Sequence, residues 1–226
     1  MESALISNNN EIVKLNENFA RMVESQSKQS NETIAIFDLS NSTGMKEEYG
    51  YEKAVHAIYS FVLICHNIIL DHYHASIVKD LGDGVLARFK DPKIACNAAI
   101  NVNMATRKYL SIIDNEGKKL FMKSKTILIK GPIQETKILG KTDIFGITVD
   151  MCARIEKITN ANQILLDQSV LEETRDYLEN LKDIQISGPM PVTLRGSIQE
   201  HKLYEISHVE YPLINQLNIE DSSTRS

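Results

Sequence analysis

Apolar and polar positions along the chain fall into alternating strand and helix rhythms. Thr33–Leu39 has the β-branched and apolar content of a strand, and a turn-like Ser40–Gly44 follows it. From about Lys46 to Asp71, Ala54, Ile58, Phe61, Ile64, Cys65, Ile68 and Ile69 recur at helical spacing and predict one long helix. Ser76–Lys79 and Val85–Phe89 read as strands joined by Asp80-Leu81-Gly82-Asp83-Gly84, a hairpin-type turn. A second helix starts after Asp91-Pro92, with proline at an early helical position and Ala95, Ala98, Ala99 and Val102 as its small-residue face. Lys125–Ile129 is then a strand, Val149–Ile158 a helix and Gln163–Leu166 a strand, and Val192–Leu194 and Leu203–Ile206 are late strands. The order β-α-β-β-α-β predicts an α/β (α+β) fold with a ferredoxin-like core and additional strands and helices.

Before this core, residues 1–32 form a polar leader. Within it Ile12, Leu15, Phe19 and Met22 mark one stripe of a short helix, which packs on its own domain or pairs with a second copy. Residues 33–207 are the expected domain. Residues 208–226, ending Glu220-Asp221-Ser222-Ser223-Thr224-Arg225-Ser226, are an expected disordered tail. No internal repeat is evident.

Composition narrows the classes. The 226 residues suit one well-cored domain with appendages. With 25 Lys+Arg against 30 Asp+Glu, the formal charge is −5 and the pI about 5.7, which argues against nucleic-acid partners and membrane-surface binding. Apolar runs such as Phe61-Val62-Leu63-Ile64 fall far short of the ~20 residues of a membrane span, so no membrane insertion is expected. Met1-Glu2-Ser3-Ala4-Leu5 has no secretion-signal pattern. Cys65, Cys96 and Cys152 are scattered and odd in number, pointing to reduced core thiols and a cytoplasmic location.

Two carboxylates stand where chemistry is plausible. Asp38 closes the first strand ahead of Asn41-Ser42-Thr43, and Asp83 sits in the Gly82-Asp83-Gly84 turn. If their strands are neighbours, both reach one edge of the sheet. There they would repel unless cations neutralise them, and hard oxygen donors suit Mg²⁺ or Mn²⁺. The turn after Asp38 opens a helix, whose first N–H groups would bind phosphate oxygens.

Together these segments resemble class III nucleotidyl cyclases. Phe37-Asp38-Leu39-Ser40-Asn41-Ser42-Thr43 is similar to the family's first metal motif, and Lys79-Asp80-Leu81-Gly82-Asp83 to its second. Asp143-Ile144-Phe145-Gly146-Ile147-Thr148-Val149-Asp150-Met151-Cys152-Ala153-Arg154 resembles the third, D-x-x-G-x-x-V-N-x-x-x-R. Gln163-Ile164-Leu165-Leu166 and Leu194-Arg195-Gly196 fit the closing strands, so the likeness runs in order through about 33–207. The resemblance implies conversion of a nucleoside triphosphate to its 3′,5′-cyclic monophosphate and pyrophosphate. Asp38 and Asp83 would hold two Mg²⁺ or Mn²⁺ ions, with Asn41, Ser42 and Thr43 at the phosphates. Lys79 and Asp143 would read the base edge, and Arg154 would offset transition-state charge. It also implies a head-to-tail homodimer in which one chain binds the metals and the other supplies the base-reading pair and the arginine.

Two departures from the pattern stand out. The family's ribose-positioning asparagine is Asp150 here, which accepts hydrogen bonds but cannot donate them. The late phosphate-binding lysine has no counterpart near Ser197; Arg195 or Lys202 would substitute. Asp150 also motivates a catalytically inactive nucleotide-binding regulatory domain as an alternative, and a small-molecule-sensing domain on the same scaffold is a further one.

A lysine that donates and an aspartate that accepts match adenine and uracil; guanine would want an acid at the Lys79 position. The compact form resembles the pyrimidine cyclases of bacterial Pycsar antiphage systems, whose product is sensed by a separate cyclic-nucleotide effector. Uracil is thus placed first, then cytosine, with an adenylate cyclase as the alternative. Tyr49, Tyr51 or Tyr59 would make a pyrimidine pocket shallower, or would serve only helix packing. Three further features read as structural: Asp71-His72-Tyr73-His74 as a surface cap, Gly188-Pro189-Met190-Pro191 as a stiff turn before a strand, and Asp114–Gly117 with Lys118-Lys119 as a solvated loop. No G-x-x-x-x-G-K-[ST] is present, so P-loop chemistry is unsupported.

Overall fold

The computed structural model describes residues 13–14, 17, 27–138, 141–194 and 200–208. The stripe Ile12, Leu15, Phe19 and Met22, the tail beyond His208, and Arg195-Gly196 lie outside the described residues.

The chain begins with β1 (Lys28–Leu39), α1 (Ser42–Tyr49), α2 (Tyr51–His66), β2 (Ser76–Asp80), β3 (Gly84–Phe89) and α3 (Pro92–Tyr109). A short hairpin, β4 (Ser111–Ile113) and β5 (Lys119–Phe121), leads into β6 (Ser124–Ile138), β7 (Lys141–Phe145) and α4 (Ile147–Glu156). β8 (Ile164–Asp167), α5 (Gln168–Glu179), β9 (Ile184–Thr193) and β10 (Glu200–His208) complete it. The main sheet runs β2-β3-β1-β6-β8-β10-β9, with β7 paired to β6. Its first half, β2-β3-β1-β6, is the strand order of the ferredoxin-like split β-α-β arrangement, as the sequence pattern predicts.

Alternate residues of each strand feed two different cores. Ala35, Phe37 and Leu39 of β1 join Leu128, Leu166 and the inner faces of α2, α3 and α5. Ile34 and Ile36 point the other way, to Leu86, Ile127, Ile129 and Leu165, beneath Cys152 and Ile155 of α4. A strand covered on both faces has no polar side, which is why β1 reads as an unbroken apolar run. Burying a side chain such as Phe61, fully enclosed in the larger core, contributes about 3 kcal/mol.

Several elements differ from the sequence expectation. The single helix over Lys46–Asp71 is broken at Gly50, whose φ of 88° and ψ of 156° are open to glycine, and α2 runs on as a π-helical turn, Asn67–His72. Helix α1 starts at Ser42, so the turn after β1 shrinks to Ser40-Asn41, with Asn41 left-handed at φ 62°. Tyr51–His72 is long and apolar enough, at mean hydropathy 1.5, to cross a membrane. Its apolar content has another use, since Ala54, Ala57, Phe61, Cys65 and Ile69 pack in the larger core.

Strand β1 begins at Lys28, five residues early, because Lys28–Glu32 pair with the extended far half of β6. Asp114–Gly117 is only the tip of the β4–β5 hairpin, where Asp114 Oδ1 accepts from the Glu116 and Lys118 amides. Gly188-Pro189-Met190-Pro191 lies inside β9 rather than before it; β9 is an edge strand, where missing donors are tolerated. Helix α4 is set two residues earlier than the pattern predicts, and β7 and α5 are elements the pattern does not predict.

Candidate active site

The antiparallel ladder between β1 and β3 ends with Asp38 opposite Gly84, and the Leu39 amide donates to the Asp83 carbonyl at 3.0 Å. The two carboxylates that the sequence singles out thus reach the same edge of the sheet. A Cβ on Gly84 would stand 2.4 Å from the Phe37 carbonyl and 3.2 Å from Asp38 Oδ1, so only glycine lets β3 start this close. Asp83 is fixed by the Ser42 hydroxyl, which donates to its Oδ2 from the first turn of α1. Asn41 and Thr43 are exposed beside it, and the first bond of α1 runs from the Met45 amide to the Asn41 carbonyl. The Asn41 side chain lies across Gly44, where a Cβ would meet its Oδ1 at 2.3 Å.

Two further charged groups complete this edge, and neither carries a local sequence signal. Lys125 stands directly opposite Asp38 on β6, its Nζ 3.4 Å from Asp38 Oδ2. The same ammonium is 2.5 Å from Oε1 of Glu156, the last residue of α4. Burial, then the negative charge of Asp83 and that of Glu156, push the Asp38 carboxyl up to about 6 against the pull of Lys125. Burial alone would lower the Lys125 ammonium, but the hydrogen bond and charge of Glu156, with Asp38, hold it above its ordinary range. Lys125 thus sits between Asp38 and Glu156, and Asp83 adds a third negative charge beside Asp38, so this edge carries a deficit of positive charge. Asp38 and Asp83 supply hard oxygen donors with that deficit, which fits Mg²⁺ or Mn²⁺ held by one or two carboxylates together with substrate phosphates. Among the described residues no group of three or more His, Cys, Asp or Glu side chains has metal-binding geometry.

Lys79 and Asp143 meet although 64 residues apart. Lys79 Nζ donates to both Asp143 oxygens, at 2.8 and 2.9 Å, and Asp143 Oδ1 also accepts from the Ile144 amide at 2.8 Å. The register slips between Ile77 and Lys79: Ile77 pairs with Ala87, whereas Lys79 pairs with Leu86. This bulge sends both Val78 and Lys79 to the Leu86 side of the sheet, the side of α4. Asp80 consequently points to the other side, where it meets His66 of α2 at 2.8 Å.

Gly146, whose φ is 130°, precedes helix α4, which carries Asp150 and Arg154 four residues apart on one exposed face. Its inner face holds Cys152, whose Sγ donates to the Ile34 carbonyl at 3.4 Å. Burial pushes all three thiols up, Cys96 to about 12, so they are poor nucleophiles. Lys202 is exposed on β10 opposite Pro191. Tyr49 packs against the larger core, whereas Tyr51 and Tyr59 are exposed on α2. The His72 ring meets Tyr73 edge-on at 4.6 Å. A hollow of about 360 Å³ at the opposite end of the β1–β3 ladder, lined by Tyr73, Arg88 and Ile94, includes none of these carboxylates.

No family model matches the chain, and no curated protein matches it in sequence. Solved structures do. The guanylyl cyclase Cya2 superposes with a TM-score of 0.68 at 18% identity, covering 84% of this chain and 98% of that one. The adenylyl cyclase CyaB from P. aeruginosa gives 0.65 at 18% identity, covering 80% and 96%. The guanylate cyclase domain of RhGC from Catenaria anguillulae, solved in complex with GTP, gives 0.62 at 16% identity, covering 80% and 98%. Likeness over nearly the whole of each neighbour, through a mixed sheet with this strand order, identifies the architecture: the chain has the fold of a class III adenylyl/guanylyl cyclase catalytic domain.

Proposed function

We propose that the chain is a nucleotidyl cyclase that converts a nucleoside triphosphate to its 3′,5′-cyclic monophosphate and pyrophosphate. The observation that carries this reading is the convergence of Asp38 and Asp83 on one sheet edge, beside the helix bearing Asp150 and Arg154. Asp38 and Asp83 would hold two Mg²⁺ or Mn²⁺ ions, which supply Lewis-acid polarisation of the α-phosphate and acidify the attacking 3′-hydroxyl. Ser42 keeps Asp83 in place. The opening turn of α1, with Asn41, Ser42 and Thr43, takes phosphate oxygens. Asp150 accepts from a ribose hydroxyl, and Arg154 balances charge on the transferring phosphoryl group. The hydroxyl attacks phosphorus directly, so no covalent nucleophile on the protein is required.

Lys79 and Asp143 present a donor and an acceptor to the base edge once their mutual pair opens. That complement suits uracil and adenine. We place a pyrimidine triphosphate first, uridine then cytidine, on the resemblance to Pycsar cyclases, with the product read by a separate effector in antiphage defence. ATP is the alternative, because the same two groups serve adenine. The proposed unit is a homodimer in which the metals of one chain face Lys79, Asp143 and Arg154 of the other.

Purified protein incubated with equimolar ATP, GTP, CTP and UTP plus Mn²⁺, with products identified by mass spectrometry, tests the activity and the base together. Cyclic UMP or cyclic CMP as the main product supports the pyrimidine assignment, and cyclic AMP returns the chain to the adenylyl cyclases. An absence of any cyclic product favours the inactive nucleotide-binding domain that Asp150 motivates. Mixing Asp38→Ala chains with Arg154→Ala chains should restore part of the activity through one intact composite site. No restoration, with mixed dimers demonstrated, would overturn shared sites.

A further inference from the structure

Lys125 stands between acids that belong to two different layers. Its stem rises from β6 directly opposite Asp38. Its ammonium lies 3.4 Å from Asp38 Oδ2, 2.5 Å from Glu156 Oε1, and donates to the Glu156 main-chain carbonyl at 3.3 Å. The nearer partner, through both side chain and main chain, is thus the last residue of α4, and Arg154 lies two residues upstream on the same helix. At its middle, α4 is held to β1 by the Cys152–Ile34 hydrogen bond. At its end Lys125 makes the connection.

We infer that Lys125 is a two-position strut: it shares itself between Asp38 and Glu156 when Asp38 holds no divalent ion, and moves wholly onto Glu156 when Asp38 does. The inference rests on the metal role proposed for Asp38. Electrostatics sets the direction, since a dication on a carboxylate repels an ammonium sharing it, and Glu156 already offers two acceptors. A cation drawn onto the last residue of a helix also fastens that end. Loading Asp38 therefore tightens the helix turn that carries Arg154. In the composite dimer Asp38 and Arg154 of one chain serve different nucleotides. Filling one metal site then sets the arginine offered to the other, so Lys125 is a positioning residue that couples the two sites.

Ala153 is exposed beside Arg154, and Cys65, Cys96 and Cys152 are all buried. An Ala153→Cys chain labelled there with a ¹⁹F thiol reagent therefore reports on this turn. Mg²⁺ titration followed by ¹⁹F NMR should shift and narrow the resonance. In Lys125→Met and in Glu156→Gln the response should be lost, while Lys125→Arg should recover it in part. Mn²⁺ binding, read by loss of the free-ion EPR signal, should persist within about tenfold in Glu156→Gln and vanish in Asp38→Ala. Equal Mn²⁺ binding by the parent and Asp38→Ala would overturn the metal reading itself. Binding by the parent with a silent label, or with an unchanged response in Glu156→Gln, would overturn the strut alone.

Discussion

The two faces of the sheet are built for different ends. One is roofed by α2, α3 and α5 over a large core, with Val55, Tyr59 and Leu63 left exposed on the outer side of α2. Among the described residues the one helix over the other is α4, ten residues long. Phe145 and Ile147 at the near end of that helix remain 44% and 60% exposed. All the charged groups assigned to the proposed chemistry lie on or beside this thinner layer. Stability and chemistry are thus separated by a single layer of strands, and substitutions on the two faces should fail in different ways.

The largest effects test that separation directly. Asp38→Ala or Asp83→Ala should lower turnover about 10³-fold or more, the scale of losing metal-borne charge stabilisation, with the fold retained by circular dichroism. Phe61→Ala on the other face should cost about 3–5 kcal/mol in urea unfolding, with activity falling only as the folded fraction falls. Full activity in either aspartate variant, or an inactive but fully stable Phe61→Ala, would break the comparison.

A finer test uses the raised Asp38 carboxyl. Its folded pKa of about 6 lies above the ordinary value of 3.8, so the folded state holds the proton more tightly than the unfolded chain does. The resulting stability is complete below pH ~4 and is lost as pH rises through about 6. Metal-free Asp38→Asn should accordingly be more stable than the parent at pH 8. Allowing for solvent screening of a partly exposed group, the gain is about 1–2 kcal/mol, with little difference at pH 4. Mg²⁺ should raise the melting temperature of the parent and leave Asp38→Asn unmoved. A variant no more stable than the parent at pH 8 would show that burial is not opposing charge at this edge. Gly50→Ala should act least, costing about 1 kcal/mol through its positive φ, without altering metal affinity in Mn²⁺ titrations.

What the sequence discloses follows the same division. Strand content located β1, β3 and the core of β6, and the Gly-Asp-Gly turn located Asp83, because such features depend on neighbours in the chain. The ion pair of Lys79 with Asp143 was foreshadowed only through family resemblance. Lys125 and Glu156 carry no local signal, because a lysine opening a strand and a glutamate ending a helix are ordinary surface residues. Only the β1–β6 register brings Lys125 to Asp38. Strand β7 is short and polar and exists by pairing with the far half of β6. Helix α5 did leave a trace: Asp167 caps it through the Val170 amide, and Val170, Leu171, Thr174 and Leu178 form its buried stripe.

The slip in β2 sets a polarity. In an extended strand, neighbours alternate sides, so parity decides which of two adjacent charges a site receives. With the extra residue at Val78, the sheet offers Lys79 to the α4 side and gives Asp80 to His66. Regular pairing continued from Ile77, with Val78 opposite Leu86, would exchange them, presenting an acid where a base now stands. On the base-reading role proposed for Lys79, the hydrogen-bonding polarity offered to a nucleobase would therefore rest on one unit of spacing in this short strand.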